Sequence, residues 1–100
     1  MIKGAKSLYQ VIQLLREQKE VLESKYNVKH LQVFGSYVEG RQRVDSDVDL
    51  IVSFSETPTL YELVDLKEYL ENLLGEKVDL LTESDISPYI KPYVRKVEVF

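Results

Sequence analysis

The feature that most constrains the fold is the stretch Val33–Val52, in which two apolar segments flank a short polar connection. The first segment ends in Gly35 and Ser36, and the second is entered through Asp47 and Asp49. Side chains alternate across a strand, so the two aspartates lie on one face, roughly 6.5 Å apart at Cα. The pattern therefore predicts two strands with a carboxylate pair at the start of the second.

A pair of aspartates on one face repels itself unless a cation neutralises it. Hard oxygen ligands favour magnesium or manganese over zinc, which prefers nitrogen and sulfur donors. The pair at Asp47 and Asp49 is therefore predicted to bind a divalent metal ion. The alternative is a strand entrance with solvated aspartates, for which the preceding Asp45 and Ser46 would form an ordinary turn.

The Gly-Ser pair before this connection has the residue types of a phosphate-binding turn. Gly35 lets a ligand approach the backbone closely, and the Ser36 hydroxyl with the following N–H groups can contact phosphate. A tight turn between a strand and a helix would use the same two residues. With the aspartates downstream, a metal-bound nucleoside triphosphate fits both halves of the motif.

Gly35-Ser36, Gly40 and the run Ser46–Leu50 together resemble the signature of the DNA polymerase beta-like nucleotidyltransferases, a Gly-Ser followed at fixed distance by Asp-x-Asp. The short chain and the segment Leu73–Glu83 are similar to the minimal nucleotidyltransferases, many of which are antitoxins paired with HEPN-domain ribonuclease toxins. The resemblance extends from Leu8 to Phe100.

This resemblance implies roles for three carboxylates. Asp47 and Asp49 would bind two magnesium ions that hold ATP, with manganese as the alternative, and the ions would lie about 3.5 to 4 Å apart. Asp79 would be the third carboxylate, binding the catalytic metal and accepting the proton of the attacking hydroxyl. Without the resemblance, Asp79 is equally an aspartate that faces solvent at a strand edge.

One position departs from the family pattern. Many relatives have an arginine just before the glycine, where this chain has Glu39 before Gly40. Arg41 is the candidate to bind the triphosphate in its place, and Arg43 is the alternative. Both arginines are equally compatible with solvated loop charges.

Composition sets limits on the class of protein. A chain of 100 residues predicts a single domain, residues 1–100, with a small core. A net charge of -4 argues against general nucleic-acid binding by a broad basic surface. No apolar run approaches the ~20 residues of a membrane span, and no signal peptide is visible. The absence of cysteine is compatible with the cytoplasm, which is the expected location.

Hydrophobic spacing predicts the elements. Capping boxes at Ser7 and Thr59 begin helices over about 7–24 and from 60 to Gly75, the second with core leucines at 60, 63, 66, 70 and 73. Strands are predicted at 30–34, 48–54 and 77–82, a helical turn over 36–40, and short helical pieces after Ser84. The expected fold is α/β (α+β), a small mixed sheet with helices mainly on one face, as in the nucleotidyltransferase palm.

The function implied by the resemblance is magnesium-dependent transfer of AMP from ATP to a hydroxyl, on a tyrosine of a partner HEPN toxin. A second hypothesis is an antitoxin that neutralises its toxin by binding alone. A third is nucleotidyl transfer to a small molecule, for which so short a chain has little room to form an acceptor pocket.

Overall fold

The computed structural model describes residues 7–40, 47–83 and 95–100. Its elements, in chain order, are α1 (Leu8–Glu17), α2 (Lys19–Lys25), β1 (Val28–Phe34), α3 (Ser36–Glu39), β2 (Val48–Phe54), α4 (Leu60–Leu74), β3 (Val78–Thr82) and β4 (Lys96–Glu98). The four strands form one sheet in the order β3-β2-β1-β4. Strand β1 is antiparallel to β2 and β4, and β2 is parallel to β3, so the predicted mixed sheet is confirmed.

The hydrophobic core lies between one face of this sheet and the helices. Alternate residues of β2 point into it, and Leu66, Leu70 and Leu74 of α4 cover them. Asp49 and Ile51 occupy the opposite face because side chains alternate along the strand. The fold is therefore the predicted α/β arrangement with helices on one face, and the aspartate of β2 lies on the other.

Both predicted capping boxes are present. The Ser7 hydroxyl accepts a hydrogen bond from the Gln10 N–H, and the Thr59 hydroxyl accepts one from the Glu62 N–H, each at 3.1 Å. Helix α4 ends as predicted at Gly75, whose φ of 70° is the left-handed conformation typical of a helix C-terminus. Local sequence signals fixed these boundaries.

Three predictions need correction. The first helix is interrupted at Gln18, whose N–H donates to the Leu15 carbonyl at 3.1 Å, three residues back instead of four. The Gln18 side chain accepts a hydrogen bond from the Tyr69 hydroxyl of α4. Leu60 was expected in the core but is 78% exposed, because α4 meets the sheet only after its first turn. Leu74, at the other end of α4, was not predicted as a core residue and is buried. Leu63 and Leu73 are partly buried, while Leu66 and Leu70 are core as predicted.

The third correction concerns the C-terminal segment, for which short helical pieces were expected. Residues 96–98 form strand β4, which pairs with β1 in the register Val33↔Val97. The Val99 N–H donates to the Leu31 carbonyl at 2.8 Å, and the Val99 carbonyl accepts from Arg16 Nε at 2.9 Å. This strand depends on a partner more than sixty residues away, so local spacing does not reveal it. Residues 84–94 lie outside the described part of the chain.

Candidate active site

The core of the site is a pair of aspartates on neighbouring strands. Asp49 and Asp79 are direct partners in the parallel register of β2 and β3. Residues paired in this way point to the same face of a sheet, and here it is the face opposite the helices. The sequence predicted both residues, but only the strand register brings them together.

Gly35 closes one side of this pair. It follows the last residue of β1, Phe34, which is the antiparallel partner of Asp49. A Cβ atom added to Gly35 would lie only 2.1 Å from Asp49 Oδ2, and the φ of Gly35 is +75°. Glycine is thus required here both by space and by backbone conformation.

The turn after Gly35 is held by its own backbone. The Gly35 carbonyl accepts hydrogen bonds from the N–H groups of Val38 and Glu39, both at 3.1 Å. Helix α3 begins at Ser36, so the predicted helical turn is confirmed. The turn lies directly beside Asp49. The Ser36 side chain lies outside the described part of the chain, so its contact with phosphate stays a prediction.

Asp47 completes the acidic group. It is exposed and immediately precedes β2, separated from Asp49 by the buried Val48. Burial raises the pKa of Asp49, and the negative charges of Asp79 and Asp47 raise that pKa further. The three carboxylates are therefore close enough to repel one another, which is the electrostatic condition that a bound cation relieves.

The three aspartates have the ligand chemistry of a divalent cation site. Three carboxylates and no nitrogen or sulfur donor suit a hard divalent ion such as magnesium. Within residues 7–40, 47–83 and 95–100, however, no three His, Cys, Asp or Glu side chains could hold one ion as they stand. Because Asp47 and Asp79 are exposed, their side chains can rotate toward Asp49 without disturbing the core. The residues fit such an ion in type, and binding needs this rotation.

The predicted arginines cannot be placed. Arg41 and its alternative Arg43 both fall in residues 41–46, outside the described part of the chain. Glu39, the position at which the sequence departs from the expected family pattern, is exposed at the end of α3. Triphosphate binding by Arg41 therefore remains a prediction.

Sequence analysis did not single out Tyr37, which connects the Gly-Ser turn to the loop before β3, the strand that carries Asp79. Its side chain is 1% exposed, and its hydroxyl donates a hydrogen bond to the Glu76 carboxylate. Burial raises the pKa of Tyr37, and Glu76 adds to the effect, so the hydroxyl keeps its proton. Two residues further, Val78 N–H donates to Glu71 Oε2 at 3.0 Å. An aromatic residue next to Ser36 gave no local sign of this link.

Comparison with known proteins identifies relatives of this chain. Residues 15–99 match the family model described as "Nucleotidyltransferase domain". "Protein adenylyltransferase MntA" from Thermococcus cleftensis is 39% identical over 94 residues, which cover 94% of this chain and 95% of that protein.

Solved structures of nucleotidyltransferases have the same fold as this chain. One, named "Structure of putative minimal nucleotidyltransferase", superposes with a TM-score of 0.71 at 36% identity, covering 87% of this chain and 88% of that chain. A second has the same fold at 20% identity and a TM-score of 0.62, covering 89% of this chain and 71% of that chain. It contains a tri-AMPylated Shewanella oneidensis HEPN toxin in complex with MNT antitoxin. The chain belongs to the nucleotidyltransferase domain family, as a minimal nucleotidyltransferase, and is an enzyme of that class.

Proposed function

We propose that this nucleotidyltransferase transfers AMP from ATP to a tyrosine hydroxyl of a HEPN-family toxin and so acts as its antitoxin. The name of the Thermococcus relative supports AMP transfer to a protein, and the complex with an AMP-modified HEPN toxin supports the acceptor. The observation that carries the proposal is the Asp49–Asp79 pair beside Gly35. This pair places an acidic cluster directly beside the Gly-Ser turn, the two parts that we propose for nucleotidyl transfer.

In this proposal Asp47, Asp49 and Asp79 hold magnesium, with manganese as the alternative. When bound, the ions would neutralise the triphosphate and polarise the phosphate under attack. The residues of the chain position the nucleotide relative to these carboxylates. Gly35 leaves room for the Asp49 carboxylate, the start of α3 at Ser36 would meet the phosphate, and the Tyr37 hydroxyl fixes this turn against the loop before β3.

The reaction is an in-line displacement at the α-phosphorus of ATP. The acceptor oxygen forms a bond to that phosphorus, the bond from phosphorus to the bridging oxygen of the β-phosphate breaks, and pyrophosphate leaves. The proton of the acceptor hydroxyl goes to Asp79, whose exposed carboxylate can reach an acceptor outside the chain. Asp49, half-buried between Gly35 and Asp79, stays at the nucleotide.

The test uses the chain, a HEPN-family protein encoded in the same genome, and ATP labelled at the α-phosphate, with magnesium. We expect label on the toxin, and toxin Tyr-to-Phe substitution to prevent it. Asp79→Asn should reduce labelling at least about a hundredfold, since it removes the proposed base and a metal ligand. The control is Glu23→Gln, which neutralises an exposed carboxylate of α2 and should label normally.

Two outcomes would contradict the proposal. If Asp79→Asn labels the toxin as well as the unaltered chain does, the three-carboxylate site is not the catalytic one. If the unaltered chain neutralises the toxin without labelling it, and Asp47→Ala neutralises equally, the protein acts by binding alone.

A further inference from the structure

Glu71 of α4 contacts both ends of the loop that leads to the strand of Asp79. Its carbonyl accepts a hydrogen bond from the Gly75 N–H at 2.8 Å, where α4 ends. Its side-chain Oε2 accepts one from the Val78 N–H at 3.0 Å, where β3 begins. The proposed chemistry does not use this half-buried side chain, although it holds the residue directly before Asp79.

The peptide group between Lys77 and Val78, called here the 77–78 peptide, is held on both sides. No peptide bond in the described residues is cis, and in a trans peptide the carbonyl and the N–H point in opposite directions. The Lys77 carbonyl accepts from the Val48 N–H of β2 at 2.8 Å. The N–H of the same peptide therefore points away from β2 and toward α4, where Glu71 accepts it. These two hydrogen bonds fix the orientation of the peptide.

The 77–78 peptide lies next to both paired aspartates. Asp79 follows Val78, Asp49 follows Val48, and the two aspartates are partners in the parallel register. Consecutive Cα atoms are only about 3.8 Å apart, so rotation of the peptide displaces the backbone of Asp79. Strand β2 is also paired with β1, so such a rotation moves Asp79 relative to an Asp49 that stays in place.

The β-sheet does not restrain the Val78 N–H, because β3 is the outermost strand in the part of the chain that the structure describes. Beside the loop is a depression of about 690 Å³, whose lining includes Glu71 and Glu76 and which is large enough to admit water. Water can replace a lost acceptor at little cost in free energy, but it does not hold the N–H in one direction. The Glu71 contact therefore matters more for orientation than for stability.

From these contacts we propose that Glu71 is a positioning residue, whose carboxylate orients the 77–78 peptide and thereby aligns Asp79 with Asp49 for nucleotidyl transfer. This inference rests on the proposed function for the role of Asp79 as the base. The competing explanation is a cap that only stabilises the start of β3. A positioning residue alters kcat in the fully folded chain, whereas a cap alters only the melting temperature.

The test compares variants of residue 71 in the labelling assay, at a temperature where circular dichroism shows each one folded. Glu71→Leu keeps the bulk of the side chain and removes the acceptor. We expect kcat to fall at least about tenfold, because small displacements of a reacting group are costly. The KM for ATP should stay within about threefold, since Asp47 and Asp49 keep their places. Glu71→Ala, which is too small to clash, should show the same fall.

Glu71→Gln is the conservative variant. Its amide oxygen can still accept the hydrogen bond from the Val78 N–H, so kcat should return to within about threefold of that of the unaltered chain. A kcat for Glu71→Gln as low as that for Glu71→Leu would overturn the inference, because the acceptor would then not be what matters.

Two controls separate positioning from general effects. Glu68→Leu makes the same substitution at an exposed position one turn earlier in α4 and should leave kcat unchanged. Tyr69→Phe removes the hydrogen bond to Gln18. It should lower the melting temperature by an amount comparable with that of Glu71→Leu, again without a change in kcat.

A double-variant cycle tests whether the effect passes through Asp79. In the Asp79→Asn chain the group that Glu71 aligns is already lost, so adding Glu71→Leu should lower the single-turnover rate less than about threefold. An equal factor in the two backgrounds would show that Glu71 acts on some other part of the site.

Amide signals in ¹H–¹⁵N spectra of the free chain test the positioning without any transfer of AMP. Glu71→Leu should shift the Asp79 amide signal, Glu71→Gln should largely restore it, and Glu68→Leu should leave it in place. If the Asp79 signal does not move in Glu71→Leu, the inference is wrong whether or not the toxin is labelled.

The two assays together separate this inference from the proposed function. If the unaltered chain labels the HEPN-family protein and Glu71→Leu labels it as fast as Glu68→Leu does, the function stands and the positioning role is wrong. If the unaltered chain never labels that protein but the Asp79 signal shifts in Glu71→Leu and returns in Glu71→Gln, the positioning role stands and the AMP transfer is wrong.

Discussion

Two glycines with nearly equal φ angles allow the steric contact between residue 35 and Asp49 to be separated from backbone strain. Gly35 and Gly40 have φ values of +75° and +73°. A Cβ on Gly35 would collide with Asp49, whereas a Cβ on Gly40 meets none of the described residues within 4 Å. The two alanine variants therefore carry the same backbone penalty, about 1–2 kcal/mol, and differ only in the collision.

We expect Gly35→Ala to lose at least about 1 kcal/mol more unfolding free energy than Gly40→Ala, because Asp49 must move or the turn must shift. Nucleotide transfer by Gly35→Ala should fall at least about tenfold, since about 1.4 kcal/mol of lost alignment is a factor of ten in rate. Urea unfolding and the labelling assay measure both. Equal losses of unfolding free energy and of transfer rate in the two variants would show that close packing of Asp49 against Gly35 affects neither stability nor activity.

Asp49 itself should make stability depend on pH. Its pKa is raised in the folded chain by burial and by Asp79 and Asp47, so folding favours the protonated carboxyl. The resulting stabilisation is fully present below the ordinary aspartate pKa and is lost as pH rises through the raised value. At neutral pH, without divalent ions, the charged Asp49 destabilises the fold.

Asp49→Asn should therefore melt at a higher temperature than the unaltered chain at pH 7 in buffer with a chelator. The gain should shrink steadily as pH falls toward the pKa of an ordinary aspartate, near 3.9. Glu23→Gln on α2 provides the control for loss of one negative charge. A gain for Asp49→Asn that persists unchanged at low pH would show that repulsion at Asp49 is not its source.

At the level of elements, the Tyr37 hydroxyl joins α3 to the loop between α4 and β3. Tyr37→Phe keeps the buried ring and removes only the hydrogen bond to Glu76. We expect a loss of about 1.5–3 kcal/mol in unfolding free energy, the usual range for a hydrogen bond to a charged group. The double variant with Glu76→Gln should lose less than the sum of the single changes, because the two residues share one interaction.

Kinetics of the same variants distinguish a positioning role from a purely structural one. If Tyr37 aligns the Gly-Ser turn with Asp79, Tyr37→Phe should alter kcat or the KM for ATP at temperatures where the chain is fully folded. Tyr69→Phe removes the comparable hydrogen bond to Gln18, away from the site, and should leave both constants unchanged. Equal kinetics for the two variants would limit Tyr37 to stability.

Elements whose signals are local were predictable from sequence. The capping boxes at Ser7 and Thr59, the left-handed Gly75 and the apolar run of β2 each depend on residues within one or two turns of the chain. Strand β4 depends on β1, more than sixty residues away in sequence. Local spacing contains no information about such a contact, which is why the short helical pieces expected there were wrong.

The residues of the candidate site were also only partly predictable from local sequence. Alternation alone placed Asp47 and Asp49 on one face, but a lone Asp79 between apolar neighbours gave no sign of its partner until the parallel register was known. Resemblance to a family supplied that assignment before the fold did. Tyr37 and Glu76 were missed because their link joins two turns separated by α4 and the central strand.

For the whole molecule, two elements bring carboxylates together on the face opposite the helices. The order β3-β2-β1-β4 places the Asp79 strand next to the Asp49 strand, although α4 separates them in sequence. No helix in the described residues is long and apolar enough to cross a membrane. The sheet that carries the aspartates also forms one wall of the hydrophobic core, and the helices form the other. Ion binding to the aspartates should therefore stabilise the whole fold.

A ligand that binds only the folded chain at a hundred times its dissociation constant adds about 2.7 kcal/mol of stability. For a domain of this size each kcal/mol raises the melting temperature by roughly 4–8 °C. Saturating magnesium with ATP should therefore raise it by about 10 °C or more, partly by removing the repulsion among the three aspartates. Chelation by EDTA should reverse the rise.

Potassium chloride at matched ionic strength is the essential control, because salt also screens repulsion between exposed carboxylates. Screening alone should give only a small part of the rise, since Asp49 is half-buried and less accessible to mobile ions. Asp47→Asn combined with Asp79→Asn removes two of the three charges and should abolish the magnesium-specific part. If this double variant gained as much from magnesium as the unaltered chain, the cation would bind elsewhere and the acidic face would have to act without it.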